Sequence, residues 1–460
     1  MCYFTVFPKV NECVKVYRKP RALFTVLPLL LLYFSFPLKG YGQALSLEHA
    51  VQLAIQHDPQ LKGNAHREQG FKAQSDAATY WENPQISASL QNLPTDGFAV
   101  NQEPMTQFKV GLKQQLPRGD ENYYTQQKYK VMGEGVLIEN QVREAWLKKE
   151  VTVTWLNWFY ATRRIVLLDK EKALLTQLLD FTNSSYSQGV GSTSQQDILK
   201  VRLALLSLED KYVQAYQQNN EAKAALSKWY GAPLEASLSV TSSIDFAAIV
   251  QNYKGDVSAL LNDIDTDEPF TVLQHHPEAI FFQLQSKIEA QNLNIAREQT
   301  KSKWAFEASY GYRQDGENGM SRADFVSLGV QVDLPFFNQS RQDASISAAA
   351  SKMSASETDF RLKVNDLASK ADVLMTRLSG LSERKALYEA VLIDETKQLS
   401  EAELTAYTND TADITDVVNA NLMLVKVQDD LLKIDVERAK TLAELAYLYL
   451  PSHINLSSTE

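Results

Sequence analysis

The fold turns on the stretch Asp416-Val-Val-Asn-Ala-Asn-Leu-Met-Leu-Val-Lys-Val-Gln-Asp-Asp-Leu-Leu-Lys-Ile434. Its apolar positions Val417, Ala420, Leu424, Val427, Leu431 and Ile434 advance by three and four residues in alternation. That spacing sets them on one stripe of a helix and predicts a coiled-coil seam. Moving back 219 residues lands on Ile198, Val201, Leu205, Leu208, Tyr212 and Ala215, a second seam of the same pattern.

Working outward, other landmarks repeat with nearly the same offset. His57-Asp58-Pro59 resembles His275-His276-Pro277, and Gln115-Leu116-Pro117 resembles Asp333-Leu334-Pro335, both 218 residues apart. The turn Gly191-x-x-Ser194-x-x-Asp197-Ile198 resembles Asp410-x-x-Asp413-x-x-Asp416-Val417 at 219. One unit is therefore written twice. The expected organisation is a leader over 1–42, a first repeat over 43–230, a linker over 231–267, a second repeat over 268–450 and a tail over 451–460.

Within each copy, a helix of about 20 residues or more follows the proline signal. Two runs with period-2 alternation come next, the pattern of half-buried strands. They are Gln85–Leu90 and Gln107–Leu116 in the first copy, Trp304–Tyr312 and Val326–Leu334 in the second. Polar loops, Asn92–Thr106 and Gln314–Ala323, join them, and Pro117 and Pro335 end the second strand of each pair. After each proline a very long helix is expected, Arg118–Gln188 and Gln339–Thr408, neither containing proline. Some 65 helical residues span about 100 Å, which implies a rod. A tip near Gly189–Ser194 or Asp410–Asp413 then reverses the chain into the seam helix.

Composition narrows the function. The 460 residues are 44% apolar and 10% aromatic, too much of both for a disordered chain. A net charge of −10 argues against a general nucleic-acid binder. Five basic residues between Lys9 and Arg21 precede an apolar run from Ala22 to Pro37, and small residues follow through Gly42 and Ala44. This is the layout of a secretory signal. Residues 1–42 hold six basic residues and one acidic, so the chain without them carries −15, and both cysteines, Cys2 and Cys13, leave with them. There is no second long apolar run, so a bundle of membrane helices is excluded. Alternating strands with aromatic ends suit an outer-membrane β-barrel instead. Four strands cannot close a barrel, so two, three or four chains would contribute 8, 12 or 16. Hairpins packed on helices in a soluble scaffold are the competing reading.

The ordered set of duplicated signatures resembles the outer-membrane efflux protein family, the TolC-like outer-membrane factors. It is carried by Asp58-Pro59 and His276-Pro277, the Gln-x-Leu-Pro strand end at 114–117, and Val332-Asp-Leu-Pro-Phe-Phe-Asn338. The tips Gly191-Ser-Thr-Ser-Gln-Gln-Asp-Ile-Leu199 and Tyr407-Thr-Asn-Asp-Thr-Ala-Asp-Ile-Thr-Asp-Val417 complete it, and it spans about 45–450. The resemblance implies a mainly α fold, with long coiled-coil hairpins forming a trimeric α-barrel and four strands per chain entering a shared 12-stranded β-barrel. It implies an exit duct in the bacterial outer membrane, extending into the periplasm. The implied partners are two further copies of the chain, outer-membrane lipid, a periplasmic adaptor (membrane fusion protein) and an inner-membrane pump of the RND type. Heavy-metal cations or drugs are candidate cargo, and a duct for type I protein secretion is the alternative. No nucleic acid, cofactor, metal site or catalytic group is implied.

Carried onto this sequence, the family's acidic entrance ring falls on Asp416, and its second ring position is Asn419. Tyr407 matches a gate tyrosine and Asp197 its first-repeat partner. The gate arginine falls on Ala412, so that residue's salt bridges cannot form unchanged. For Asp197 and Asp416 the plainer reading is charge complementing a helix N-terminus. The tips are expected to meet the adaptor through Gly189, Val190, Gly191, Ser192 and Ser194, and through Thr411, Ala412, Asp413 and Thr415. Their plainer reading is turn and cap chemistry. Trp304, Phe306, Tyr310 and Tyr312 are expected to form a membrane aromatic belt. Three weaker signals read as structural. His275-His276 are adjacent and share no helix face for a metal. Asp263-Ile-Asp265-Thr-Asp267 has Glu268 where a calcium loop needs glycine. Gly189-Val-Gly191 lacks the lysine of a phosphate loop.

Overall fold

A computed structural model describes residues 44–189, 193–229, 272–317, 319–409 and 411–450, with a few positions between 239 and 249. The expected leader, most of the linker and the tail lie outside the described residues, as do Val190, Gly191 and Ser192 of the first tip.

The first repeat runs β1 (Ala44–Leu45), α1 (Leu47–His57), α2 (Pro59–Ala77), β2 (Gln85–Gln91), β3 (Gln107–Gln115), α3 (Glu121–Gln188) and α4 (Gln195–Ser227). After β4 (Ser239–Val240), which pairs parallel to β1, comes α5 (Pro277–Glu298). The second repeat continues with β5 (Trp304–Tyr312), β6 (Phe325–Val332), a 3₁₀ turn (Pro335–Asn338) and α6 (Gln339–Leu387). A π turn (Tyr388–Leu392), α7 (Ile393–Thr408) and α8 (Ile414–Leu448) complete it. The described residues are mostly α-helical, with two long hairpins and one four-stranded antiparallel sheet of order β2-β3-β5-β6.

The expected strands hold to within two residues at each end. The long helices differ from expectation in two respects. Helix α3 starts at Glu121 rather than Arg118, because Gly119 takes φ +46° to turn the chain into it. At that φ glycine is favoured, and a Cβ at Gly119 would also fall 2.0 Å from Glu298 Oε2, so a larger residue would have to push the Glu298 carboxylate aside. That carboxylate accepts the Asp120 N–H (2.7 Å), so an acid of the second repeat stabilises the start of α3. The second long helix is not uniform α either, since the π turn interrupts it.

In the helical part α3 packs between α4 and α8, and α8 packs in turn on α6 and α7. Val201, Leu208 and Ala215 of the first seam are buried, as are Val417, Ala420, Val427 and Ile434 of the second. Helix α8 also buries Val418, Val425, Val436 and Ala439, so it carries two apolar faces where the sequence suggested one. Around α1, Trp155 and Phe159 stack at 5.7 Å, and the Trp155 indole N–H donates to the Leu45 carbonyl (3.0 Å). That contact joins the start of the described chain to the middle of α3. Leu156 beside it is fully buried, and each such side chain contributes about 1.5–3 kcal/mol.

Candidate functional site

The sheet has two chemically different faces. Register places Ile86, Leu112, Ala308 and Leu328 in one row, and Ala88, Val110, Tyr310 and Val326 in the next. The third row is Leu90, Phe108 and Tyr312. This face is apolar, yet Leu328 is 83% exposed and Ile86 78%. Trp304, Phe306, Tyr310 and Tyr312 all project from it and are about half exposed. The opposite face carries Gln85, Ser87, Lys109, Lys113, Glu307 and Gln331 among other small and polar residues, with Phe325 at its loop end under the Arg313 guanidinium. Strands β2 and β6 each pair on one side only.

The loops at one end of the sheet are tied to each other. Arg313 Nη1 donates to the Pro104 carbonyl (3.1 Å) and Arg322 Nη1 to that of Glu103 (3.0 Å). At the other end, a polar cavity of about 720 Å³ lies where the strands pass into the long helices. Ion pairs Arg118–Asp333 and Lys303–Glu82 (2.7 Å) border it, and each joins one repeat to the other.

At the first tip, α3 ends on Gly189 in the left-handed conformation (φ 67°). The Ser194 N–H and hydroxyl both donate to the Asp197 carboxylate (2.8 and 2.9 Å). At the second tip, Asp413 caps α8 by accepting the Thr415 N–H (2.7 Å). Thr411 turns its N–H and its hydroxyl onto the Ala406 carbonyl (2.9 Å each). Ala412 is half-buried, and Asp416 and Asn419 are exposed in the first turns of α8. Tyr407 meets Phe181 edge to face (6.2 Å), and its hydroxyl is buried with no hydrogen-bond partner. Asp197 is thus engaged with its own helix start, and Tyr407 with α3.

A residue that sequence reasoning passed over joins the tips. Lys200 Nζ lies 3.0 and 3.3 Å from the two Asp413 carboxylate oxygens and 3.5 Å from Asp197. The Thr415 hydroxyl and N–H, then Lys200, hold the Asp413 carboxyl down at about 2, and Asp413 in turn raises the Lys200 ammonium. The local signal was only an Asp–Lys pair three residues apart at the start of α4. The partner 213 residues away had none. Among the described residues, no three His, Cys, Asp or Glu side chains are grouped to hold a metal ion.

No protein-family model and no curated protein matches this chain. Solved structures do. The chain superposes on CusC, in structures concerned with its folding and transmembrane channel formation, with a TM-score of 0.72 at 14% identity, covering 92% of this chain and 96% of that one. The outer membrane protein VceC of Vibrio cholerae gives 0.70 at 14%, covering 88% and 96%. The open-state MtrE outer membrane channel of Neisseria gonorrhoeae gives 0.68 at 13%, covering 88% and 89%. The chain has the fold of these proteins over nearly its whole length, including both hairpins and the sheet.

Proposed function

We propose that this protein is the outer-membrane exit duct of a tripartite efflux system. The observation that carries the reading is the sheet, with one exposed apolar face, one polar face and two unpaired edges. An exposed apolar face of this kind needs a nonpolar neighbour, and unpaired edge strands need a partner strand. Closing three sheets edge to edge, β6 of one copy on β2 of the next, gives twelve strands with apolar sides toward lipid and polar sides around water. Trp304, Phe306, Tyr310 and Tyr312 then lie among the lipid-facing residues. The superposed outer-membrane channels support this assembly.

The helical hairpins of three copies would continue the duct into the periplasm, with the tips at its entrance. There Asp416 and Asn419 face the opening, and Tyr407 and Asp197 stand on the two sides of the tip. The exposed Gly189, Thr411 and Asp413 region, with the half-buried Ser194, Ala412 and Thr415 beside it, is the surface offered to a periplasmic adaptor. An RND-type inner-membrane pump would select the cargo. A water-filled pore of this kind calls for no catalytic group or cofactor.

Two measurements test the reading. Extraction should require detergent and yield a heat-modifiable trimer that conducts in planar bilayers. A water-soluble monomer would exclude the pore and leave the periplasmic scaffold. Three copies of Asp416 around the axis would favour cations. Asp416→Ala should therefore weaken cation preference and divalent block, whereas unchanged selectivity would leave Asp416 as a helix-start charge only.

A further inference from the structure

The charged residues within the four long strands are Lys109, Lys113 and Glu307, and all three project from the polar face. Glu307 stands directly opposite Lys113 in the register, yet its carboxylate lies toward Lys109, at 3.7 Å. Gly111, between the two lysines, leaves room for that crossing. A Cβ there would lie 2.9 Å from Ser87 Oγ and 3.6 Å from Glu307 Oε1. Lys113 turns the other way and donates to Gln331 Oε1 (2.6 Å), an amide that satisfies its hydrogen bond but not its charge. The strands thus hold two ammonium groups and one carboxylate, which lies toward Lys109 alone, and β2 and β6 add no acid.

We infer that this polar face is an anion-favouring girdle whose net charge is set by Lys113. The inference rests on the proposed pore, in which three such faces line one lumen and three uncompensated lysines ring it. A ring of basic side chains between low-dielectric walls raises the local concentration of anions and opposes cations. Acids elsewhere do not cancel it. The loop carboxylates other than Asp324 lie beyond Gln107, and six residues of strand put Lys113 about 20 Å from that end, roughly two Debye lengths at physiological salt. Asp324, level with Phe108, accepts the Arg313 N–H and the hydroxyl of Tyr310 on the apolar face. At the near end, Glu82 and Asp333 are each held by a cation of their own, and the third acid lining the cavity there, Glu121, is matched in number by Arg341. The duct would then favour cations at an acidic entrance and anions at its exit, which suits anionic or neutral cargo better than a bare divalent cation.

The test is the reversal potential of the full-length trimer in planar bilayers under a KCl gradient. Lys113→Gln should raise the potassium-to-chloride permeability ratio about twofold, and Glu307→Gln should lower it. Opposite shifts from two neighbouring neutral substitutions cannot come from general loosening of the barrel. If the wild type conducts but neither substitution moves the ratio, or both move it the same way, the girdle is overturned while the pore stands. If the wild type does not conduct at all, the pore reading falls and the girdle with it.

Discussion

Helices α2 and α5 hold equivalent places in the two repeats, and each begins with proline at its first position, where the missing N–H costs nothing. The residue before the proline caps the helix in both, but with different chemistry. In the first repeat the Asp58 carboxylate accepts the N–H groups of Gln60 and Leu61 (3.0 Å each) and is clamped by Arg143 of α3 (2.7 Å). In the second, the His276 ring accepts the Glu278 N–H at Nδ1 (3.1 Å), while Nε2 meets the Tyr447 carbonyl (3.0 Å). Accepting at one nitrogen and donating from the other requires a neutral imidazole. The backbone geometry is shared, yet one cap carries a charged side chain that also holds an ion pair and the other needs its side chain neutral. Duplication preserved the fold and left the pH response of each half free to diverge.

Breaking the first cap should have the largest effect. Asp58→Ala removes the acceptor for two helix-start N–H groups and leaves Arg143 without its carboxylate partner. The expected loss is about 3 kcal/mol, read as an earlier denaturant midpoint by far-UV circular dichroism. Asp58→Asn should recover the cap but not the ion pair and fall between. Equal losses from the two would mean that the charge, not the cap, does the holding.

The second cap is a smaller but pH-dependent effect. Burial lowers the His276 pKa below 6.5, against the Tyr447 carbonyl and Glu278, which raise it, and with Lys363 nearby on α6. A group whose folded-state pKa is depressed contributes stability that is fully present above the unfolded value and lost as pH falls through the folded one. Stability should therefore decline on acidification from about pH 6.5 downward, by about 1 kcal/mol for a lost cap. Burial raises the Asp58 carboxyl, but Arg143 and the two backbone N–H groups outweigh it and hold the pKa below 3.8. The first cap thus stays intact across that window. His276→Asn, which caps without titrating, should abolish the decline, and Asp58→Asn should leave it in place. A decline that persists in His276→Asn would locate the acid sensitivity elsewhere.

These caps show what could be read in advance. The duplication, the strands and the seams were legible because each is a local period or a repeated spacing. Asp58 and His276 were visible as helix starts for the same reason. Their partners were not, because Arg143 lies 85 residues from Asp58, and Tyr447 lies 171 from His276. Lys200–Asp413 and Glu298 at the start of α3 belong to the same class. Helix packing alone brings such groups together, and no local pattern encodes it. The two faces of the sheet were half legible: alternation picked out the apolar face, and attention to it hid the charges on the other.

The smallest expected effect concerns the long helices. Helix α3 runs 68 residues without interruption, whereas its counterpart is broken by the π turn Tyr388–Leu392. Both tie points around that turn reach α8. Before it, Lys385 meets Asp435 (2.8 Å), and after it the Ser400 hydroxyl donates to Asn421 (2.9 Å). Fifteen residues separate the first pair of positions and fourteen separate the second, so the outgoing helix carries one residue more than the helix it packs against. A π turn takes up one extra residue while returning later side chains to their original face. Deleting Ala390 should therefore convert the segment to continuous α-helix, keep both contacts, and change stability by no more than about 1 kcal/mol. Inserting one alanine in the middle of α3, where no such turn exists, should instead rotate every later side chain by about 100° unless a new π turn forms. If the deletion unfolds the second hairpin while the insertion is tolerated, the turn is a required contact with α8, not a means of keeping register.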